Sequence, residues 1–113
     1  VKSVHTDILT TIDDNTIVGI ATNIGHEARI GKNCVLSSNC VIARRANLGD
    51  DVWIGPSAVV REHVKIGRAA EVKLGSVVIS DVKADTAVSG NFALSHNRNL
   101  KHYFLKKHSR ERH

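Results

Sequence analysis

Aromatic residues make up only 4% of this 113-residue chain, with one Trp, one Tyr, two Phe, no Met and a single Pro. That scarcity excludes a core built on stacked rings or on adaptable thioethers. The interior has to be filled by Ile, Val, Leu and Ala. No Pro-rich or Gly/Ser stretch separates two halves, and the length allows one domain at most. No apolar run is long enough to span a membrane, and no signal peptide precedes the first polar residues. The expectation is therefore a cytoplasmic protein with no membrane span. The first residue is Val1 rather than Met, which fits a processed N-terminus or a piece cut from a longer chain. Only two cysteines occur, Cys34 and Cys40. They read as small core filler in a reducing compartment, not as a disulfide or a metal pair.

Charge of either sign is nearly absent as a net quantity over most of the chain. Residues 1 to 93 hold ten basic and ten acidic groups, whereas residues 94 to 113 hold Arg98, Lys101, Lys106, Lys107, Arg110 and Arg112 against Glu111 alone. The net charge of +5 thus belongs to the C-terminal tail. A basic tail of this kind is either a solvated surface or a landing patch for an acidic partner. Without an aromatic platform along a groove it does not point to nucleic acid.

What the chain does have is a period of six. Ile12, Val18, Ile24, Ile30, Leu36, Ile42, Leu48, Ile54, Val60, Ile66, Val72 and Val78 recur at that spacing, with Ala84 as a weak last member. Four residues after each stands a small or β-branched side chain, from Thr16 and Thr22 through Cys34, Cys40 and Ser76 to Val82 and Val88. Six matches neither the helical period nor simple strand alternation. It is the hexapeptide repeat of a parallel β-helix, an all-β coil in which three hexads form one triangular turn. The aliphatic and small positions point inward, and Gly after the aliphatic residue is expected to ease the corner. Thirteen hexads make just over four turns, a prism roughly 20 Å tall. The coil domain is assigned to residues 1–93, regular from 12, with residues 1 to 11 as an imperfect first turn and Pro56 at an outward corner. Residues 94–113 follow as a helix and basic tail. Leu100, Tyr103 and Phe104 share one helical face between about Asn97 and Lys107, with Asn97 as N-cap. That helix is expected to cover the last turn or to meet a neighbour, and residues 109 to 113 to fray.

A coil offers no cleft of its own, so outward histidines in the repeat carry the functional information. There are two, His26 and His63, on adjacent corner positions of the same edge and two turns apart. The segment Ile24-Gly-His-Glu-Ala-Arg-Ile-Gly31 resembles the I-x-H-x-x-x-I-G segment of hexapeptide acyltransferases that act on amino sugars. Val52-Trp-Ile-Gly-Pro-Ser-Ala-Val-Val60, and Gly75-Ser-Val-Val78 with Val88-Ser-Gly-Asn-Phe-Ala93, are similar to the rest of that family's pattern. Two branches compete. The lipid A UDP-acylglucosamine N-acyltransferases have a second His 37 residues after the catalytic one, which His63 matches. The nucleotide-sugar N-acetyltransferases have His followed by an acidic residue, which His26-Glu27 matches. Gly19 stands where the lipid A enzymes have an acidic residue.

The resemblance implies a left-handed coil, an exception to the usual crossover hand. It implies a homotrimer, and acyl or acetyl transfer from a CoA or acyl-carrier-protein thioester, through its phosphopantetheine arm, to an amino or hydroxyl group of a sugar or sugar nucleotide. No metal is required. His26 would be the general base, since imidazole titrates near neutral pH. Glu27 would fix its tautomer and stabilise its charged form. The amide of residue 44, here Arg44 where the lipid A enzymes have Gly, would hold the oxyanion. His63 would contact the pantetheine arm or a substrate phosphate. Trp53 would lie at a subunit interface or under the cofactor. Lys73, where these enzymes commonly have Gly, and Gly75 would lie along the arm. The basic tail would favour an acidic carrier protein. Two rivals share the fold. A zinc carbonic anhydrase needs three converging His ligands, and the repeat supplies two. A non-catalytic coil would serve assembly or ligand binding.

Overall fold

The structure is a computed structural model that describes residues 10–111, the side chains of residue 102 and of residues 106 to 111 excepted. Of the expected first turn, all but its last residues lie outside that range, as do His5 and His113.

Twelve two-residue strands follow one another at intervals of six: β1 (Thr11–Ile12), β2 (Ile17–Val18), β3 (Asn23–Ile24), β4 (Arg29–Ile30), β5 (Val35–Leu36), β6 (Val41–Ile42), β7 (Asn47–Leu48), β8 (Trp53–Ile54), β9 (Val59–Val60), β10 (Lys65–Ile66), β11 (Glu71–Val72) and β12 (Val77–Val78). Then come β13 (Ala87–Ser89), β14 (Leu94–Ser95) and α1 (His96–Glu111). Every third strand stacks in parallel, giving sheet A (β1-β4-β7-β10), sheet B (β14-β13-β11-β8-β5-β2) and sheet C (β12-β9-β6-β3). Residues 18 apart are in register, as in Ile12↔Ile30, Leu36↔Ile54 and Ile42↔Val60. The result is the left-handed parallel β-helix expected from the repeat.

The second residue of each strand fills the bore. Leu36, Ile42, Ile54, Val60 and Val72 have no solvent exposure. The small inward positions are equally dry, with Ala28, Cys34, Cys40, Ala46 and Ala58 also at 0%. Where that position is polar, its hydroxyl or thiol finds an acceptor close by, in three cases on the coil above. Thr16 Oγ1 donates to Gly31 O at 2.7 Å, Thr22 Oγ1 to Ser37 O at 3.2 Å, and Cys34 Sγ to Gly49 O at 3.2 Å. Ser76 Oγ instead donates to Lys73 O of its own coil at 2.7 Å, so each of these inward hydroxyls is hydrogen-bonded.

Burial pushes both thiols above their ordinary titration range. A thiolate is disfavoured inside, so each cysteine supports the fold fully below the unfolded thiol's pKa. That support is lost as pH rises through the raised folded value. We expect urea midpoints to be flat near neutral pH and to fall in alkaline buffer, and a Cys34→Ala/Cys40→Ala variant to flatten that fall. We also expect neither thiol to react with an aromatic disulfide reagent until the chain unfolds. Fast labelling of the native protein at neutral pH would contradict this burial.

Three expectations are corrected. First, the glycines after the aliphatic residues do not ease corners. The left-handed φ falls two residues later, on Asn15, Ala21, Glu27, Asn33, Asn39, Arg45, Asp51, Ser57, His63 and Ala69, all non-glycine. The glycines stand where two coils approach, so that a Cβ on Gly19 would lie 2.7 Å from Ser38 N and one on Gly55 2.5 Å from Leu74 N.

Second, Ala84 is not the last inward aliphatic. Val82 pairs with Ile66 and Val88 with Val72, so the chain crosses from Val78 to Val82 in four residues instead of six. Ala84 sits exposed in the next turn, and Asp85 carries its left-handed φ. Asp81 Oδ1 accepts from Lys65 N at 2.9 Å, replacing a ladder carbonyl that the shortened crossing removes.

Third, α1 is longer than the apolar pattern suggested. Asn97 lies inside it, and the N-cap is Ser95, whose Oγ accepts from Arg98 N at 3.4 Å. The helix continues through Glu111 rather than fraying from residue 109. Its start is tied to the coil by Asn99 Nδ2 donating to Ser89 O and by His96 Nδ1 against Ser89 Oγ at 3.0 Å. It does not fold over the last turn: Tyr103, Phe104 and Leu105 stay exposed.

Candidate active site

The third and fourth positions of each hexad form the corners of the prism. The corner between sheets C and A carries His26 and Glu27 on one coil, Arg44 and Arg45 on the next, and Glu62 and His63 on the one above. Backbone bonds lock this column: Arg45 N donates to His26 O at 3.0 Å, and His63 N to Arg44 O at 3.2 Å. His26 and His63 therefore share one edge, with roughly 10 Å of rise between them from two strand spacings.

Glu27 takes the left-handed conformation at φ 60° and donates its N–H to Thr10 Oγ1 at 2.9 Å. That turn aims its side chain along the column. The carboxylate accepts from Arg45 Nε at 2.7 Å and Nη2 at 3.4 Å. On its other side, Oε1 lies 3.7 Å from His26 Nδ1, with the imidazole about half exposed at 48%. A guanidinium, a carboxylate and an imidazole thus stand in series. The structure thus places Glu27, expected to serve His26, beside it. Arg45 is the residue that sequence reading missed, and its signal was a separation of 18, the length of one coil.

The Arg44 amide has a property that follows from the coil itself. Among the described residues no third-position N–H enters the coil-to-coil ladder, and Pro56 occupies that position because a residue without an N–H loses nothing there. At the neighbouring corner the equivalent Lys32 N–H donates to an outside carboxylate, Asp50 Oδ1, at 2.8 Å. Arg44 N stacks against Gly25, the residue before His26. A donor outside the ladder, on the coil above the imidazole, suits a developing oxyanion.

The remaining expected residues lie elsewhere on the prism. Trp53 is outward on sheet B, half-buried between Val35 and Glu71 in register. Lys73 begins the corner between sheets B and C and is ion-paired with Glu71. Gly75 ends the same turn with φ 64° and open space around it. Within one chain these three are not brought to His26. Among the described residues no three His, Cys, Asp or Glu side chains converge as metal ligands, and no helix is long and apolar enough to cross a membrane.

Comparison with known proteins agrees with this architecture. The bacterial transferase hexapeptide (six repeats) family model matches residues 9–44. An acyl-[acyl-carrier-protein]–UDP-N-acetylglucosamine O-acyltransferase of Nautilia profundicola is 34% identical over 92 residues, 81% of this chain and 36% of that protein. A UDP-3-O-acylglucosamine N-acyltransferase of a Caulobacter species is 31% identical over 81 residues, 72% of this chain and 24% of that protein. Among solved structures, soybean serine acetyltransferase superposes with a TM-score of 0.68 at 28% identity, over 77% of this chain and 40% of that one. The chain therefore spans roughly a quarter to two fifths of the length of these proteins. With its period of six, its three stacked parallel sheets and these matches, the chain belongs to the hexapeptide-repeat, left-handed parallel β-helix family, in which the proteins similar to it are acyl- and acetyltransferases.

Proposed function

We propose that this chain carries an acyl-transfer site, with His26 as general base acting on an amine or hydroxyl of a sugar or sugar nucleotide and a CoA or acyl-carrier-protein thioester as donor. The observation that supports it most is the Glu27 carboxylate held between Arg45 and His26 Nδ1. A carboxylate there favours the tautomer with hydrogen on Nδ1, leaving Nε2 to take the acceptor's proton. The acceptor's nitrogen or oxygen then bonds to the thioester carbonyl carbon, and the Arg44 N–H receives the negative oxygen. As the C–S bond breaks, the proton on Nε2 passes to the departing thiolate, which leaves as a free thiol.

A second copy is part of this reading. The corner between sheets B and C presents Ile20, Ser38, Pro56 and Leu74, with Ile20 85% and Leu74 72% exposed. Val41, Val59 and Val77 flank it on sheet C. An apolar strip of this kind favours association. In a homotrimer, the His26 corner of one copy would face the wall of the next that bears Trp53, Lys73 and Gly75. Residues divided within one prism then share a cleft, in which His63 meets the pantetheine arm. The basic start of α1, with Arg98 and Lys101, gives an acidic carrier protein a surface to approach.

The test is a mass-spectrometric screen of the whole chain with acyl-CoA and acyl-carrier-protein thioesters against amino-sugar and nucleotide-sugar acceptors, alongside sedimentation. A mass increase on an acceptor, matched by release of free thiol from a trimer, is expected. A monomer at working concentration that transfers nothing and binds no thioester would favour the non-catalytic coil.

A further inference from the structure

A recess of about 260 Å³ opens beside the His26 corner, lined by Glu27, Arg29, Arg45, Ala46 and Asn47. It lies where that corner turns into sheet A. The register places Arg29 directly below Asn47. Of the charges on its rim, Glu27 and Arg45 answer each other at 2.7 Å. Arg29 makes no ion pair among the described residues. Among the described residues the recess therefore presents one guanidinium without an ion pair, with a carboxamide one coil above it. Its volume is below the range of sites that enclose a whole drug-sized ligand. It suits one charged group of a larger molecule.

We propose that this recess binds an oxyanion of the acceptor, a phosphate or a carboxylate, with Arg29 as the specificity-determining residue. This deepens the acyl-transfer reading and rests on it for the word acceptor. A guanidinium offers its N–H groups as a planar fork that matches two oxygens of either anion. The Asn47 carboxamide can donate to a third contact. The Glu27 carboxylate would repel an anion were Arg45 not bound to it, so the ion pair that serves His26 also makes the neighbouring recess hospitable. Glu27 both lines the recess and lies 3.7 Å from His26 Nδ1, so an acceptor held there would sit beside the imidazole. A neutral sugar gains nothing from Arg29.

The experiment uses no thioester, so its failure is separable from failure of acyl transfer. The full chain is titrated with inorganic phosphate and, separately, with acetate, and amide shifts are followed by NMR. Shifts centred on residues 27 to 29 and 45 to 47 are expected, with Arg29→Ala weakening the binding about tenfold and Arg29→Lys recovering part of it. Lys65→Ala, two coils higher on the same sheet, is expected to leave binding unchanged. Tighter binding of phosphate assigns a phosphorylated acceptor, and tighter binding of acetate a carboxylate-bearing one. Unchanged binding in Arg29→Ala, or an equal loss in Lys65→Ala, overturns the proposal. Once an acceptor is known, Arg29→Ala should raise its KM and leave kcat in place.

Discussion

His26→Ala is expected to lower kcat/KM for acyl transfer about a thousandfold, within the usual range for loss of a positioned acid–base group. The imidazole is outward at a corner and about half exposed. No inward contact is lost with it, so the urea midpoint and the sedimentation coefficient should stay within error of the parent. Glu27→Gln should cost much less, because it removes the orienting charge and leaves the base. The pair His26→Ala/Glu27→Gln should be no worse than His26→Ala alone, since Glu27 acts through the imidazole. Activity retained in His26→Ala would move the base elsewhere, and His63 on the same edge would be the next residue to replace. A loss of activity together with a lowered urea midpoint would mean that the corner was being read through stability.

Gly55→Ala is the second large effect, and it is one of stability. A methyl group there would meet the Leu74 amide nitrogen at 2.5 Å and its Cα at 2.8 Å, backbone atoms that cannot turn aside. Two coils would have to part, breaking ladder bonds such as Gly55 N to Val72 O at 2.8 Å. A loss of about 3 kcal/mol is expected, at the upper end of overpacking costs. Gly75→Ala is the contrasting variant. Its φ of 64° disfavours a side chain, but nothing lies within 4 Å of the new Cβ. Ala21 and Ala69 already adopt that conformation, at 59° each. About 1 kcal/mol is expected there, the cost of a left-handed alanine. Paired urea melts decide the matter. Equal losses at the two positions would show that the glycines act through backbone freedom and not through close stacking.

The contrast between those glycines also measures what could be read without coordinates. Gly55 directly follows its aliphatic residue and Gly75 stands three after Val72, but the sequence does not say which of those two places meets the next coil. Their difference comes from what the next coil places above each. The same holds for Glu27. Its neighbour in the chain, His26, was visible as a partner, whereas Arg45 was recognisable only after the coil length was known to be 18. The shortened crossing after Val78 was half visible. Ala84 is the weakest member of the aliphatic series, while Val82 and Val88 are themselves six apart. The two-residue slip and the Asp81 repair needed the stacking to be seen.

The chain's own order determined which residues face inward, the number of strands per turn and the outward placement of His26 and His63. Those follow from a side-chain period that only one kind of backbone can satisfy. Tertiary structure decided which side chains stand over one another. Coil-to-coil registration sets those contacts across 18 residues, and it made a column of Glu27, Arg45 and His63, a close approach at Gly55 and a recess beside Arg29. It also left Trp53, Lys73 and Gly75 on another wall, because a rigid three-sided prism cannot bring two of its corners together.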